Sequence, residues 1–392
     1  MGGQAFAKAG PDGSALNVPR MPTSTYQALS SEIQRKLQTM FRNVALPREA
    51  PGKADHGDID VLVEGAMTQW NPDTLKELLG AEYFYDNGGT KSYAVPYADS
   101  PDEYFQVDVE ICPGEGTPDS TDLFKWTLFL KSDSDLLQII GICHRSLGIK
   151  CNDRGLHLRV PEIESYNKKK SLLFLTRDPD EAMKFYGLDT AKYWEGFRDE
   201  EELFEWVANG RFFHPSIFDT RQEKANDRAR QRKRPMYSRF VENFMPRRIE
   251  AGSENEPWTP EQVRKEALDT FGKHREYEEM LAEHRTRERD IAIWERVKEA
   301  LPVQGKQLTT ALRSLRRWVD FKDGHPFITS EAMITEQPLW GAAVVDEELV
   351  LSWVRENWEQ VKKLERARVV SLEQGCLRYG KTIEYTAMYR VE

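Results

Sequence analysis

Gly57-Asp58-Ile59-Asp60-Val61-Leu62-Val63 is the stretch that decides how the rest of the chain is read. It alternates into an apolar run, the pattern of a β-strand with a buried face. In a strand, residues two apart project to the same side, so Asp58 and Asp60 point together while Ile59 and Val61 enter a core. Two carboxylates held side by side repel one another unless a cation lies between them. A hard divalent ion with oxygen ligands meets that need. Gly57 lets the backbone approach a ligand just before the pair. The competing reading is plain: an Asp-x-Asp on an edge strand is often only a solvated face.

A second segment repeats the grammar. In Tyr104-Phe105-Gln106-Val107-Asp108-Val109-Glu110-Ile111, Asp108 and Glu110 share one face and Val107 and Val109 the other. If this strand lies beside the first, Asp108 completes a three-carboxylate set. Such a set can hold two metals about 3.5–4 Å apart and serve phosphoryl transfer. Around these strands, helix and strand alternate. Thr23 to Asn43 reads as a helix with Leu29, Ile33, Leu37, Met40 and Phe41 as its apolar stripe, capped by Ser24 or Thr25. Asn71-Pro72-Asp73 opens a short helix that Gly80 closes. Lys91–Pro96 reads as a further strand, and 132–147, 178–187 and 200–207 as helices.

At this point the chain resembles the DNA polymerase β-like nucleotidyltransferase superfamily. Its members carry a Gly-Asp-x-Asp strand, then a helix, then a later strand with a third aspartate. Asp58 and Asp60 match the first pair, and Asp108, in Gln-Val-Asp-Val, matches the third position. The match covers roughly residues 20–115 and extends more weakly to about 220. Where that family carries Gly-Ser or Gly-Gly upstream of the acidic pair, this chain has Leu46 to Gly57, and Gly52-Lys53 is the candidate for holding phosphate. The resemblance implies transfer of a nucleoside monophosphate from a nucleoside triphosphate, such as ATP, to an acceptor, with pyrophosphate leaving. Asp58, Asp60 and Asp108 would bind magnesium (or manganese), Asp108 would also help deprotonate the acceptor hydroxyl, and Lys53 would neutralise triphosphate charge. The alternative is a catalytically silent member acting as an interaction module. A glycosyltransferase using Asp-x-Asp fits less well, because its acidic pair usually ends a strand.

Beyond residue 220 the composition shifts. Positions 221–248 contain ten Lys/Arg and three Asp/Glu. The run can grip nucleic-acid phosphates, act as a nuclear import signal or simply be a solvated linker. Interleaved Tyr237, Phe240 and Phe244 could stack on bases. Residues 261–300 read as one long charged helix, and 308–319 and 346–367 as further helices. The expectation is therefore an α+β protein: a mixed-sheet nucleotidyltransferase-like domain over 1–220, a basic linker over 221–260 and a helical domain over 261–392.

Composition closes off other classes. The 392 residues carry a net charge of -10, which excludes a uniformly basic coat. Ten Trp, fourteen Tyr and eighteen Phe argue for a packed core rather than disorder. No apolar stretch approaches bilayer length and no signal-peptide core is visible, so a cytoplasmic protein is expected, with a nuclear one as the variant. Four cysteines without CxxC spacing and seven histidines without HxxxH disfavour a structural zinc site. Gly375-Cys-Leu-Arg-Tyr-Gly380-Lys381-Thr382 matches a phosphate loop letter for letter. That loop must follow a strand and open a helix inside a sheet, and only ten residues remain after Thr382.

Overall fold

The computed structural model describes residues 4–6, 14–218, 234–251 and 256–379. The protein is α+β, with 52% helix and 19% strand, and the strands are concentrated in the N-terminal part. The chain forms two compact units, 1–277 and 278–392.

The first unit is built on a five-stranded mixed sheet. Its strands are β2 (Phe41–Ala45), β4 (Ile59–Ala66), β5 (Tyr83–Asn87), β6 (Thr90–Tyr97) and β7 (Ser100–Ile111), in the order β2-β4-β7-β6-β5. A short ladder, β1 (Met21–Pro22) with β3 (Asp55–His56), stands beside it. Only β4 and β7 run parallel; every other pair in the large sheet is antiparallel. A parallel pair needs a crossover, and the chain makes it through α2 (Pro72–Leu79) and the β5–β6 hairpin.

One face of the sheet is a core. Ile59, Val61 and Val63 of β4 and Phe105, Val107 and Val109 of β7 pack against Ile33 and Leu37 of α1 (Thr23–Leu37) and Leu75 and Leu79 of α2. α2 forms where its ends dictate. Asn71 Oδ1 accepts from the amides of Asp73 and Thr74, both at 2.9 Å, and Gly80 takes φ 73°, which a side chain would resist. The opposite face is covered in two places. Phe6 and Leu16 of the N-terminal arm pack on Ala94 and Tyr104, and Phe124 and Leu123 of α3 (Ser120–Lys131) pack on Leu62 and Cys112. The acidic positions lie on this second face.

Several boundaries differ from the sequence reading. The helix expected over 23–43 stops at Leu37, because Phe41–Ala45 pairs with β4, and Phe41 reaches the core from a strand. Neither Ser24 nor Thr25 caps the helix: both lie inside its first turn and Pro22 stands at the cap position, while the Thr23 hydroxyl turns to the carbonyls of Lys53 and Ala54, at 3.1 and 3.0 Å. The helix expected over 261–300 is two, Pro260–Phe271 and His274–Ala300, separated at Gly272 with φ 63°. Charge patterning carried no sign of that break, although Gly272 is a natural C-cap. The sequence pattern predicts neither α3 nor β5.

After α3 come α4 (Leu136–Arg145), a three-stranded antiparallel sheet and α5 (Pro161–Glu164), α6 (Pro179–Tyr186), α7 (Thr190–Glu195) and α8 (Glu200–Ala208). The helix Pro260–Phe271 belongs to this unit, with Arg211 paired to its Glu266 at 2.8 Å. The second unit packs the helices Gly305–Trp318 and Glu347–Tyr379 around Trp294, Trp318, Trp340 and Trp358, with a hairpin over 319–328. Among the described residues, no helix is long and apolar enough to cross a membrane.

Candidate active site

Strand pairing places the acidic residues in one row. Asp60 stands directly opposite Asp108 across the parallel β4–β7 pair, and Asp108 stands opposite Ser92 on β6. Cα atoms on paired strands lie about 4.8 Å apart, so the two carboxylates are neighbours on the same face. Asp58, just before β4, falls on the same side by strand alternation. Glu110 follows on that face, where Lys131 of α3 holds it at 2.5 Å.

Burial and like charge act together on the row. Asp60 keeps solvent access, yet its carboxyl is pushed up to about 7, first by surrounding protein and then by the charges of Asp58 and Asp108. Its openness to water tempers the size of that shift but not its direction. Burial also raises Asp58, opposed chiefly by Lys53, and raises Asp108, opposed by hydrogen bonds from Ser92 and Gln106. The Gln106 amide donates to both oxygens of Asp108, at 2.9 and 3.0 Å, which fixes that carboxylate's plane. Gln106 was not singled out in the sequence, although it sits two before Asp108 in the same alternation. Ser92 carried no sequence signal, because its place depends on the register of β6.

No Lys or Arg forms an ion pair with Asp58, Asp60 or Asp108 among the described residues. Three oxygen-donor carboxylates with raised pKa values and no ion-pair partner suit a hard divalent cation in chemistry. Their arrangement is a row rather than a cage: among the described residues, no three His, Cys, Asp or Glu side chains converge closely enough to enclose a metal.

Gly52 and Lys53 lie in the loop between β2 and β3, upstream of β4. They line a neighbouring cleft of about 420 Å³ with Tyr26, Glu49, His56 and Phe197. Gly52 has φ 71° and open space around it. The Lys53 ammonium pairs with Glu49, so its charge is shared before any ligand arrives. Gly57 is buried between β3 and β4. His56 is buried too, its ring stacked on Tyr26 at 3.9 Å and 14°, as a core histidine would be. The sequence motif thus divides between two places: the carboxylates on the sheet face, and Gly52 and Lys53 in the adjoining cleft.

The other sequence candidates settle differently. Residues 221–233 of the basic run lie outside the described residues. In the remainder, Arg234, Arg239, Arg247 and Arg248 pair with Asp135, Glu200, Glu201 and Glu205. Tyr237, Phe240 and Phe244 are core residues at 3% exposure or less, so they offer no stacking surface for bases. His144 stacks on Tyr186 at 4.1 Å, and burial holds its pKa down at about 3. Residues 375–379 of the phosphate-loop match are the last turn of a helix, not a loop after a strand, and 380–382 lie outside the described residues. Lys381→Ala is therefore expected to leave triphosphate affinity unchanged in equilibrium binding; a large loss with the fold intact would show a real phosphate site there.

No family model matches the chain, and no curated protein matches it.

Proposed function

We propose that the Asp58, Asp60 and Asp108 row is the centre of a divalent-cation-dependent nucleotidyltransferase. It would move a nucleoside monophosphate from a nucleoside triphosphate to a hydroxyl-bearing acceptor. The observation that supports this most is the register of Asp60 with Asp108 on adjacent parallel strands, on the sheet face between the places that the N-terminal arm and α3 cover.

Asp58, Asp60 and Asp108 would hold the cation, which when bound supplies positive charge to the triphosphate and its leaving pyrophosphate. Asp108, its plane set by Gln106, faces the acceptor and takes the hydroxyl proton. The acceptor oxygen then bonds to the α-phosphorus as the bond to pyrophosphate breaks. Lys53 exchanges its Glu49 partner for phosphate oxygens and neutralises part of their charge.

Thermal unfolding with a triphosphate and magnesium together tests this directly. A ligand at a hundred times its Kd adds about 2.7 kcal/mol to stability. At about 2–4 °C per kcal/mol for a unit of this size, the melting temperature should rise by several degrees. Transfer of an α-phosphate label to an acceptor in cell extract would then identify the product. A second reading, a silent interaction module, is favoured by the Lys53–Glu49 pair and by the absence of a ready carboxylate cage among the described residues. No shift with any triphosphate would select it.

A further inference from the structure

The loop that carries Glu49, Gly52 and Lys53 is held at its upstream end by Arg48. The Arg48 guanidinium donates to Asp133 Oδ2 at 2.7 Å and to the Tyr193 carbonyl at 2.5 Å, and it lies 4.3 Å over the Tyr193 ring. The Arg48 backbone is tied as well. Its amide donates to Ser132 Oγ at 3.3 Å, and its carbonyl accepts from the Asp133 amide at 2.7 Å. Asp133 is 2% exposed and lines the same cleft as Lys53.

The turn that presents Asp133 is itself unusual. Asp133 and Ser134 both adopt left-handed backbone, with φ 58° and 54°. Such backbone is strained for residues other than glycine and persists only where its surroundings over-determine it. Arg48 binds Asp133 in this turn through both its guanidinium and its carbonyl. Downstream, Thr23 pins the carbonyls of Lys53 and Ala54. Between the two anchors only the tip around Gly52 is open.

We infer that Arg48 and Asp133 are positioning residues: through this clamp they set where the Lys53 ammonium stands relative to Asp58, and hence how triphosphate is held. The inference rests on the proposed function for the identity of the ligand. The clamp joins the loop before β4 to the α3–α4 turn and to α7, elements outside the sheet. Neither residue reaches the carboxylate row, so they act through Lys53 and not on the reacting atoms.

Asp133→Asn is the cleanest variant, because Asn is nearly isosteric and tolerates left-handed backbone. Arg48→Lys is the second; it keeps the charge and loses the planar fork. Two readouts are needed: hydrogen exchange of the 49–58 amides, and the kinetic constants for a nucleoside triphosphate with magnesium. Both variants should speed exchange over 49–58 without changing it in β4 and β7. Both should raise KM for the triphosphate about tenfold, the scale on which a misplaced binding group acts, with kcat little changed. Unchanged loop exchange overturns the inference. So does faster exchange with an unaltered KM, which would make the clamp purely structural. If the wild type itself shows no triphosphate response, the proposed function fails and the positioning claim goes with it. A wild type that turns over while the variants keep its KM sinks the inference alone.

Discussion

Asp60→Asn should cut nucleotidyl transfer by about two to three orders of magnitude while making the cation-free protein slightly more stable. The two effects share one cause. Asp60 stands between Asp58 and Asp108 on a sheet face, and both neighbours push its carboxyl toward the protonated form. Removing its charge relieves that repulsion in the absence of a cation, so the melting temperature should rise. With magnesium and a triphosphate the same charge is an asset. Losing one group aimed at developing charge typically costs about two to three orders of magnitude in rate. The mutant should also lose most of the stabilisation that magnesium gives the wild type. A thermal shift series with and without magnesium, alongside transfer assays on both proteins, measures all three quantities. A mutant that is less stable without metal, or that keeps wild-type transfer, removes Asp60 from the chemistry and makes the interaction-module reading the stronger.

The strand grammar made the row legible in advance, because alternation is local. Ile59 and Val61 had to face a core if Asp60 did not, and Val107 and Val109 imposed the same choice on Asp108. What alternation cannot give is register. That Asp60 meets Asp108 rather than Gln106 or Glu110 depends on the crossover through α2 and the β5–β6 hairpin, and β5 carried no readable pattern. Most of β5 is exposed, so burial had little to impose on its sequence. The long-range partners were hidden for the same reason. Arg48 and Asp133 are 85 positions apart, and nothing in Leu46-Pro47-Arg48 announces a buried ion pair with a turn beyond α3. The aromatics at 237–244 were misread in a related way. Basic neighbours suggested a binding surface, whereas their spacing suits a buried helical face, and Phe204 of α8 packs on Phe240 and Phe244.

The largest stability effect should come from the second unit. Glu365, on the helix Glu347–Tyr379, is 1% exposed and accepts from Arg317, from Arg368 at 2.9 Å and from the Trp318 indole at 3.0 Å. Burial alone would raise its pKa. The bonds from Arg368, Trp318 and Arg317 more than reverse that and hold it down at about 2. Glu365→Ala leaves the guanidinium of Arg317 and the Trp318 indole without their acceptor, a change that costs about 3–5 kcal/mol when one partner of a buried pair is removed. Glu365→Gln keeps the shape and one acceptor oxygen and should cost less. The pH dependence follows from the direction of the shift. A carboxyl held below its unfolded value contributes stability above the ordinary Glu range and loses it as pH falls toward about 2. Acid unfolding of this unit, followed by the fluorescence of its buried tryptophans, should therefore show a decline below about pH 4.5 that is absent in Glu365→Gln. Equal acid sensitivity in the two proteins would mean that other carboxylates set the limit, and that the Glu365 cluster contributes packing rather than charge.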